Sequence, residues 1–95
     1  MTPAAIATMI DEGRHLVPDH LWLGLTHYFI DRTRTGDFLA ALLSNDLMLA
    51  VGRADDQSFA ALPRLCQFLH NFAPPRSHGS RAAVDAWLEQ VELAA

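Results

Sequence analysis

Asp37-Phe38-Leu39-Ala40-Ala41-Leu42-Leu43-Ser44-Asn45-Asp46-Leu47-Met48-Leu49-Ala50-Val51-Gly52-Arg53 poses one architectural choice, a single long helix or two short ones. Ala and Leu dominate the run, β-branched residues are few, and no two-residue hairpin turn separates alternating apolar segments, so it reads as helical. As one helix at about 100° per residue, it would place Asp46 inside an apolar arc and scatter Leu43, Leu47 and Val51 away from Phe38, Leu42 and Leu49. Two helices remove the conflict. The break falls at Ser44-Asn45-Asp46, where Asn or Asp can accept the free amides of a new helix carrying Leu47, Ala50 and Val51. Gly52-Arg53-Ala54-Asp55-Asp56 ends that helix and caps its successor.

The same logic extends in both directions. Upstream lies a polar breaker, Arg32-Thr33-Arg34-Thr35-Gly36, after which Asp37 is placed to cap. Val17-Pro18-Asp19 opens a helix running to Ile30, with Tyr28, Leu21, Leu25, Phe29 and Trp22 in one arc and Leu23 and Ile30 nearly opposite. A helix with two apolar faces is either packed on both sides or covered on one side by a partner chain, and both readings stay open. The first helix takes Thr2 as N-cap and Pro3 as its first residue, buries Ile6, Met9 and Ile10, and stops near Gly13, glycine being favoured at a C-cap.

Downstream, Phe59, Leu62, Leu65, Cys66, Leu69 and Phe72 form one stripe between Gln57 and Phe72, with Pro63 on the opposite side. An interior proline removes one backbone hydrogen bond and costs about 3 kcal/mol, which predicts a kink near Phe59 to Leu62 or a later start. Ala73 to Gly79 reads as an extended linker. Ser80 caps a last helix with Val84, Trp87, Leu88 and Val91 inward and Asp85, Glu89 and Glu92 outward. The expected fold is all-α: one compact domain over residues 1–95, of five to six short helices. Trp22, Leu25, Phe29, Leu62, Leu69 and Trp87 are expected at the core.

Composition narrows the function. With 51% hydrophobic and 19% charged residues the chain has enough apolar material to fold. Its net charge is -4, and all seven basic residues are arginine. Non-specific nucleic-acid affinity comes mainly from neutralising phosphates, so direct nucleic-acid binding is not expected. The single Cys66 cannot form an internal disulfide, which fits a reducing compartment. The N-terminus lacks the basic and apolar regions of a signal peptide, and no apolar run approaches a membrane span. A cytoplasmic protein, without membrane contact, is the expectation.

No catalytic, cofactor or metal motif stands out. His20 and His27 are seven apart, about 10.5 Å along a helix axis, too far to share one ion. Cys66 reads as a small core residue, although His70 follows it at i+4. Asp55-Asp56 reads as a cap rather than a pair of catalytic carboxylates. A DNA-binding helix-turn-helix around Ser44-Asn45-Asp46 would present Leu47, Met48, Leu49, Ala50 and Val51, with only Arg53 to reach a phosphate or base, whereas recognition helices need polar reach. The candidate partner-binding residues are Leu23 and Ile30, on one line of their helix and suited to a symmetric homodimer, with Arg32 and Arg34 in the only small basic loop.

Gly36-Asp37-Phe38-Leu39-Ala40-Ala41-Leu42-Leu43-Ser44-Asn45-Asp46-Leu47, with Gly52 to Asp56, Ala61-Leu62-Pro63, Asn71, Ala73-Pro74, Gly79-Ser80 and Trp87, resembles a group of small helical proteins encoded by phages, prophages and other mobile elements. The likeness spans about Leu21 to Trp87. This chain has His70 where the group is expected to carry an aromatic, and Ser77-His78 where it carries Cys-Trp. The resemblance implies no catalytic activity. By analogy of context and size it implies a non-enzymatic protein-binding module acting on a host complex, with an inhibitor of a CRISPR-type or other antiviral complex as one form; a second copy of the chain is the partner that the Leu23 and Ile30 line would suit, and the alternative function is a small transcriptional regulator of helix-turn-helix type. From charge alone, a mobility-shift titration with random duplex DNA at physiological salt should show no complex at micromolar protein, and a salt-sensitive shift would promote the regulator.

Overall fold

Thr2 opens the first helix, α1 (Pro3–Glu12), by accepting the Ala5 amide on its hydroxyl at 3.1 Å, with Pro3 at the first helical position as expected. This computed structural model describes residues 1–94, with side chains through Gln90; the expected placing of Val91 and Glu92 lies outside the described side chains. Ile6 and Ile10 are buried along α1. The helix stops at Gly13, but not for the conformational reason that glycine usually supplies. Gly13 has φ -100°, which any residue tolerates, whereas a Cβ there would lie 2.5 Å from the Phe72 ring. Glycine is needed for the close approach of α1's end to a later helix.

A short 3-10 turn (Arg14–Leu16) leads to α2 (Asp19–Asp31), where Leu25, Tyr28 and Phe29 are buried. Arg32 ends α2 in the left-handed region, φ 58°. In α3 (Asp37–Leu43), Phe38, Leu39, Ala41, Leu42 and Leu43 are all buried. Gly36 occupies the N-cap and Asp37 the first helical position, so Asp37 does not cap by its side chain; its carboxylate still faces the positive end of the helix dipole.

The break at Ser44-Asn45-Asp46 is where the pattern conflict required it. Asn45 takes φ 61°, its amide donates to the Leu42 carbonyl, and the Asp46 amide donates to the Ala41 carbonyl, a Schellman closure with asparagine in the left-handed position. Asp46 then caps α4 (Leu47–Arg53), accepting the Leu49 amide at 3.2 Å. The expected packing face of α4 is corrected: of its apolar residues Ala50 alone is buried, and Leu47 and Val51 are exposed. The hairpin turn presses the Ala50 side against α3, and Leu47, Met48, Leu49 and Val51 stay exposed.

Asp55 caps α5 (Asp56–Phe72) through the Ser58 amide at 2.7 Å. The helix starts seven residues before Pro63 and runs through it, which removes the late-start reading. Its buried line is Ser58, Ala61, Leu65, Phe68 and Leu69. The expected stripe is rotated: Phe59 and Cys66 are exposed, and Leu62 and Phe72 are half-buried. Phe68 causes the rotation, because Trp22, Phe29 and Phe72 all meet its ring at centroid distances of 6.1 to 6.4 Å.

Residues 73–80 form a packed loop and not an extended linker. Ser77 is fully buried; its hydroxyl donates to the Pro74 carbonyl and its carbonyl accepts the Tyr28 hydroxyl, both at 2.6 Å. The Gly79 amide donates to the Leu43 carbonyl at 2.8 Å, with Gly79 at φ 113°. Ser80 caps α6 (Arg81–Ala94) through the Ala83 amide, and Val84 and Trp87 point inward as expected. The Trp87 indole donates to the Tyr28 carbonyl at 3.1 Å. Among the described residues every regular element is helical, and the radius of gyration, 12.4 Å, is that of a compact chain of this length, about 12 Å.

Two measurements test this account. Gly13→Ala should cost about 1–3 kcal/mol in chemical denaturation because the Phe72 ring must move. Gly52→Ala, in helical backbone with nothing near the added methyl, should gain about 0.5–1 kcal/mol. Equal effects would show that Gly13 is not sterically required. The second uses pH. Burial, the largest influence, raises the Tyr28 pKa well above its ordinary 10, with Asp85 reinforcing and Arg32 opposing. A raised folded-state value means that this contribution is intact below pH 10 and lost as pH climbs from there towards the folded value. Tyr28 is the one tyrosine, so tyrosinate absorbance reports it alone; the titration should be displaced upward in the folded protein, and stability should decline above pH 10.

Candidate protein-binding site

Folding brings together residues that the sequence keeps apart. His20 on α2 reaches α5, where its Nε2 lies 3.2 Å from Ser58 Oγ and 4.0 Å from Asp55 Oδ2. The types are those of a hydrolytic triad, but the geometry is not. A triad uses both ring nitrogens, one on serine and the other on the carboxylate. Here both oxygens face Nε2, the serine is buried, and the Asp55 carboxylate is occupied by the Ser58 amide, which is also the main reason its pKa is lowered. The cluster fastens the start of α5 to α2.

The second arrangement lies in a groove of about 390 Å³ lined by Leu42, Leu47, Cys66, Leu69, His70 and His78. Cys66, expected in the core, is exposed here, because Phe68 turns α5 so that its neighbour faces outward. His78 is half-buried and its pKa is lowered, first by burial and then by the nearby His70. Among the described residues no group of three or more His, Cys, Asp or Glu side chains is arranged to hold a metal ion.

The four partner-binding candidates from the sequence are separated. Leu23 is exposed. Ile30 is half-buried and packs against the core, in the neighbourhood of Ile10 and Trp22. Arg32 is engaged within the chain: its guanidinium stacks 3.3 Å over the Trp87 ring and donates to the Trp87 carbonyl and to Gln90 Oε1. Arg34 is exposed at the rim of a cleft where Arg34, Arg53 and Arg81 alternate with Asp37, Asp46 and Asp85. Three cations against three anions leave that cleft balanced.

What the sequence reading missed is α4 as a surface. Met48 is 85% exposed, Leu47 60%, Val51 41% and Leu49 40%. These four side chains are contiguous on one seven-residue helix, with the apolar groove beside Leu47. The signal was present in the sequence, since Leu47-Met48-Leu49-Ala50-Val51 is apolar on every side of a helix, and a helix lying on one neighbour can bury only one side of itself. Compared with protein-family models, with curated proteins and with solved structures, the chain matches none. No helix among the described residues is long and apolar enough to cross a membrane.

Proposed function

We propose that this chain is a non-enzymatic protein-binding module and that the outward side of α4 is its docking face. The observation that supports this is the exposure of Leu47, Met48, Leu49 and Val51 together on one capped helix. Single exposed apolar residues are ordinary, whereas a contiguous group of them marks a contact surface. Removing such a group from water contributes roughly 25 cal/mol per Å² of apolar area towards offsetting the entropy cost of association, and α4 gains nothing from it in the free chain. The resemblance noted above makes a host antiviral complex of CRISPR type the first target class to try. The helix-turn-helix alternative would need α4 to read bases, and its outward side chains are aliphatic apart from Arg53.

The test compares the wild-type chain with Met48→Asp as immobilised bait for a lysate of the cells that produce it. Met48 is almost fully exposed, so the variant should keep the wild-type unfolding free energy to within about 0.5 kcal/mol. The expected result is a defined protein held by the wild type and lost from the variant. Identical retention by both baits would remove α4 from the binding reading.

A further inference from the structure

We infer that His78 is an acid-sensitive latch: a proton added to its ring loosens the loop of residues 73–80 and, through that loop, the docking of α6.

The hydrogen bonds of the loop decide which ring nitrogen takes that proton. Ser77 has a single hydroxyl proton, and it goes to the Pro74 carbonyl at 2.6 Å. In the 3.1 Å contact between His78 Nδ1 and Ser77 Oγ the ring must therefore donate, so the neutral imidazole carries its proton on Nδ1. Nε2 is left bare, and acidification can protonate the ring only there.

The surroundings do not welcome a charge. The ring is half-buried in the groove lined by Leu42, Leu47 and Leu69, and among the described residues no carboxylate lies within ion-pair distance of it. The titratable groups that share the groove are Cys66 and His70 on α5 and Asp46 at the start of α4. Asp46 is the one anion, and its carboxylate is already bonded to the Leu49 amide. Arg76 and Arg81, the nearest charged residues along the chain on either side, are exposed cations. A proton on Nε2 thus meets apolar side chains and a second imidazole instead of an acceptor. This is why the His78 pKa is lowered, by burial first and by His70 second.

Position gives the proton its leverage. His78 stands between Ser77, whose carbonyl accepts the buried Tyr28 hydroxyl, and Gly79, whose amide donates to the Leu43 carbonyl at the end of α3. Moving the ring into water pulls on both bonds at once. The Tyr28 carbonyl in turn accepts the Trp87 indole of α6. Because the docked loop favours the neutral ring, its docking is intact above pH 6.5, an imidazole's ordinary value, and weakens as pH falls from there.

Hydrogen exchange followed by NMR tests the latch in the intact chain, since the Gly79 amide reports the loop and the Trp87 indole reports α6. Between about pH 7.5 and 5.5 both protection factors should fall roughly two- to tenfold, tenfold being the ceiling for one imidazole that titrates normally in the released loop. The Leu65 amide in the middle of α5 should keep its protection. His78→Asn offers a side-chain N–H in place of Nδ1 and cannot titrate, so the pH response of both reporters should vanish. The ring supplies a reading that needs no variant: its nitrogen shifts should place the proton on Nδ1 at neutral pH, and its titration midpoint should lie below 6.5. If His78→Asn does not fold, the wild-type exchange and the ring titration decide. Protection at Gly79 and Trp87 that ignores pH, an equal fall at Leu65, the same fall in folded His78→Asn, or a ring that titrates at or above 6.5 each overturns the inference.

Discussion

Tyr28 ties three segments of the chain together through one buried side chain. Its hydroxyl donates to the Ser77 carbonyl in the loop before α6, its own carbonyl accepts the Trp87 indole from α6, and its ring meets Phe29 edge-on at 5.3 Å. A buried phenol is costly without a partner, and here both the phenol and the carbonyl it meets are satisfied by the same bond. From the other side, the Arg32 guanidinium lies on the Trp87 ring and bonds the α6 backbone carbonyl. The docking of α6 is thus as much polar as apolar. In the loop that leads into α6, Ala73, Pro74 and Ser77 are buried while Pro75 and Arg76 face outward.

Helix ends were the most legible part of the sequence. Thr2, Asp46, Asp55 and Ser80 all cap where their residue types and positions indicate, because capping is a local reaction between a short polar side chain and an amide three residues on. Helix faces were less legible. Periodicity gives the angle between residues on one helix but not which angle meets a neighbour. On α5, either Cys66 or Phe68 could have faced inward, and the aromatic neighbours on α2 settled it in favour of Phe68. On α4 the residues are apolar all round, so no preferred angle exists to be read. Gly13 was placed correctly for the wrong reason, since the ring that excludes a side chain there belongs to Phe72, 59 positions away.

The candidate site was missed on the same physical ground. Leu23, Ile30, Arg32 and Arg34 drew attention as exceptions to a pattern, yet Arg32 is consumed in anchoring α6 and Ile30 packs against the core. The sequence shows that the α4 run is apolar on every side, but not which side stays uncovered. Its character emerges only when the hairpin with α3 is closed and the remaining helices are found to lie elsewhere. His20 shows the converse: a serine and an aspartate, brought to it across 38 residues or nearly so, form a group that looks chemical and serves as a fastener.

Met48 and its exposed neighbours on α4 also bear on how this protein can change. The closure at Asn45, the Asp46 cap and buried Ala50 hold the helix in place, and none of them lies on its outward side. Substitutions at exposed positions usually alter stability by no more than about 0.5 kcal/mol, so those side chains can be exchanged with little effect on folding. Under the docking role proposed for α4, binding preference and fold are written in separate residues. A lineage can retune what α4 touches, one side chain at a time, while the scaffold that presents it stays the same.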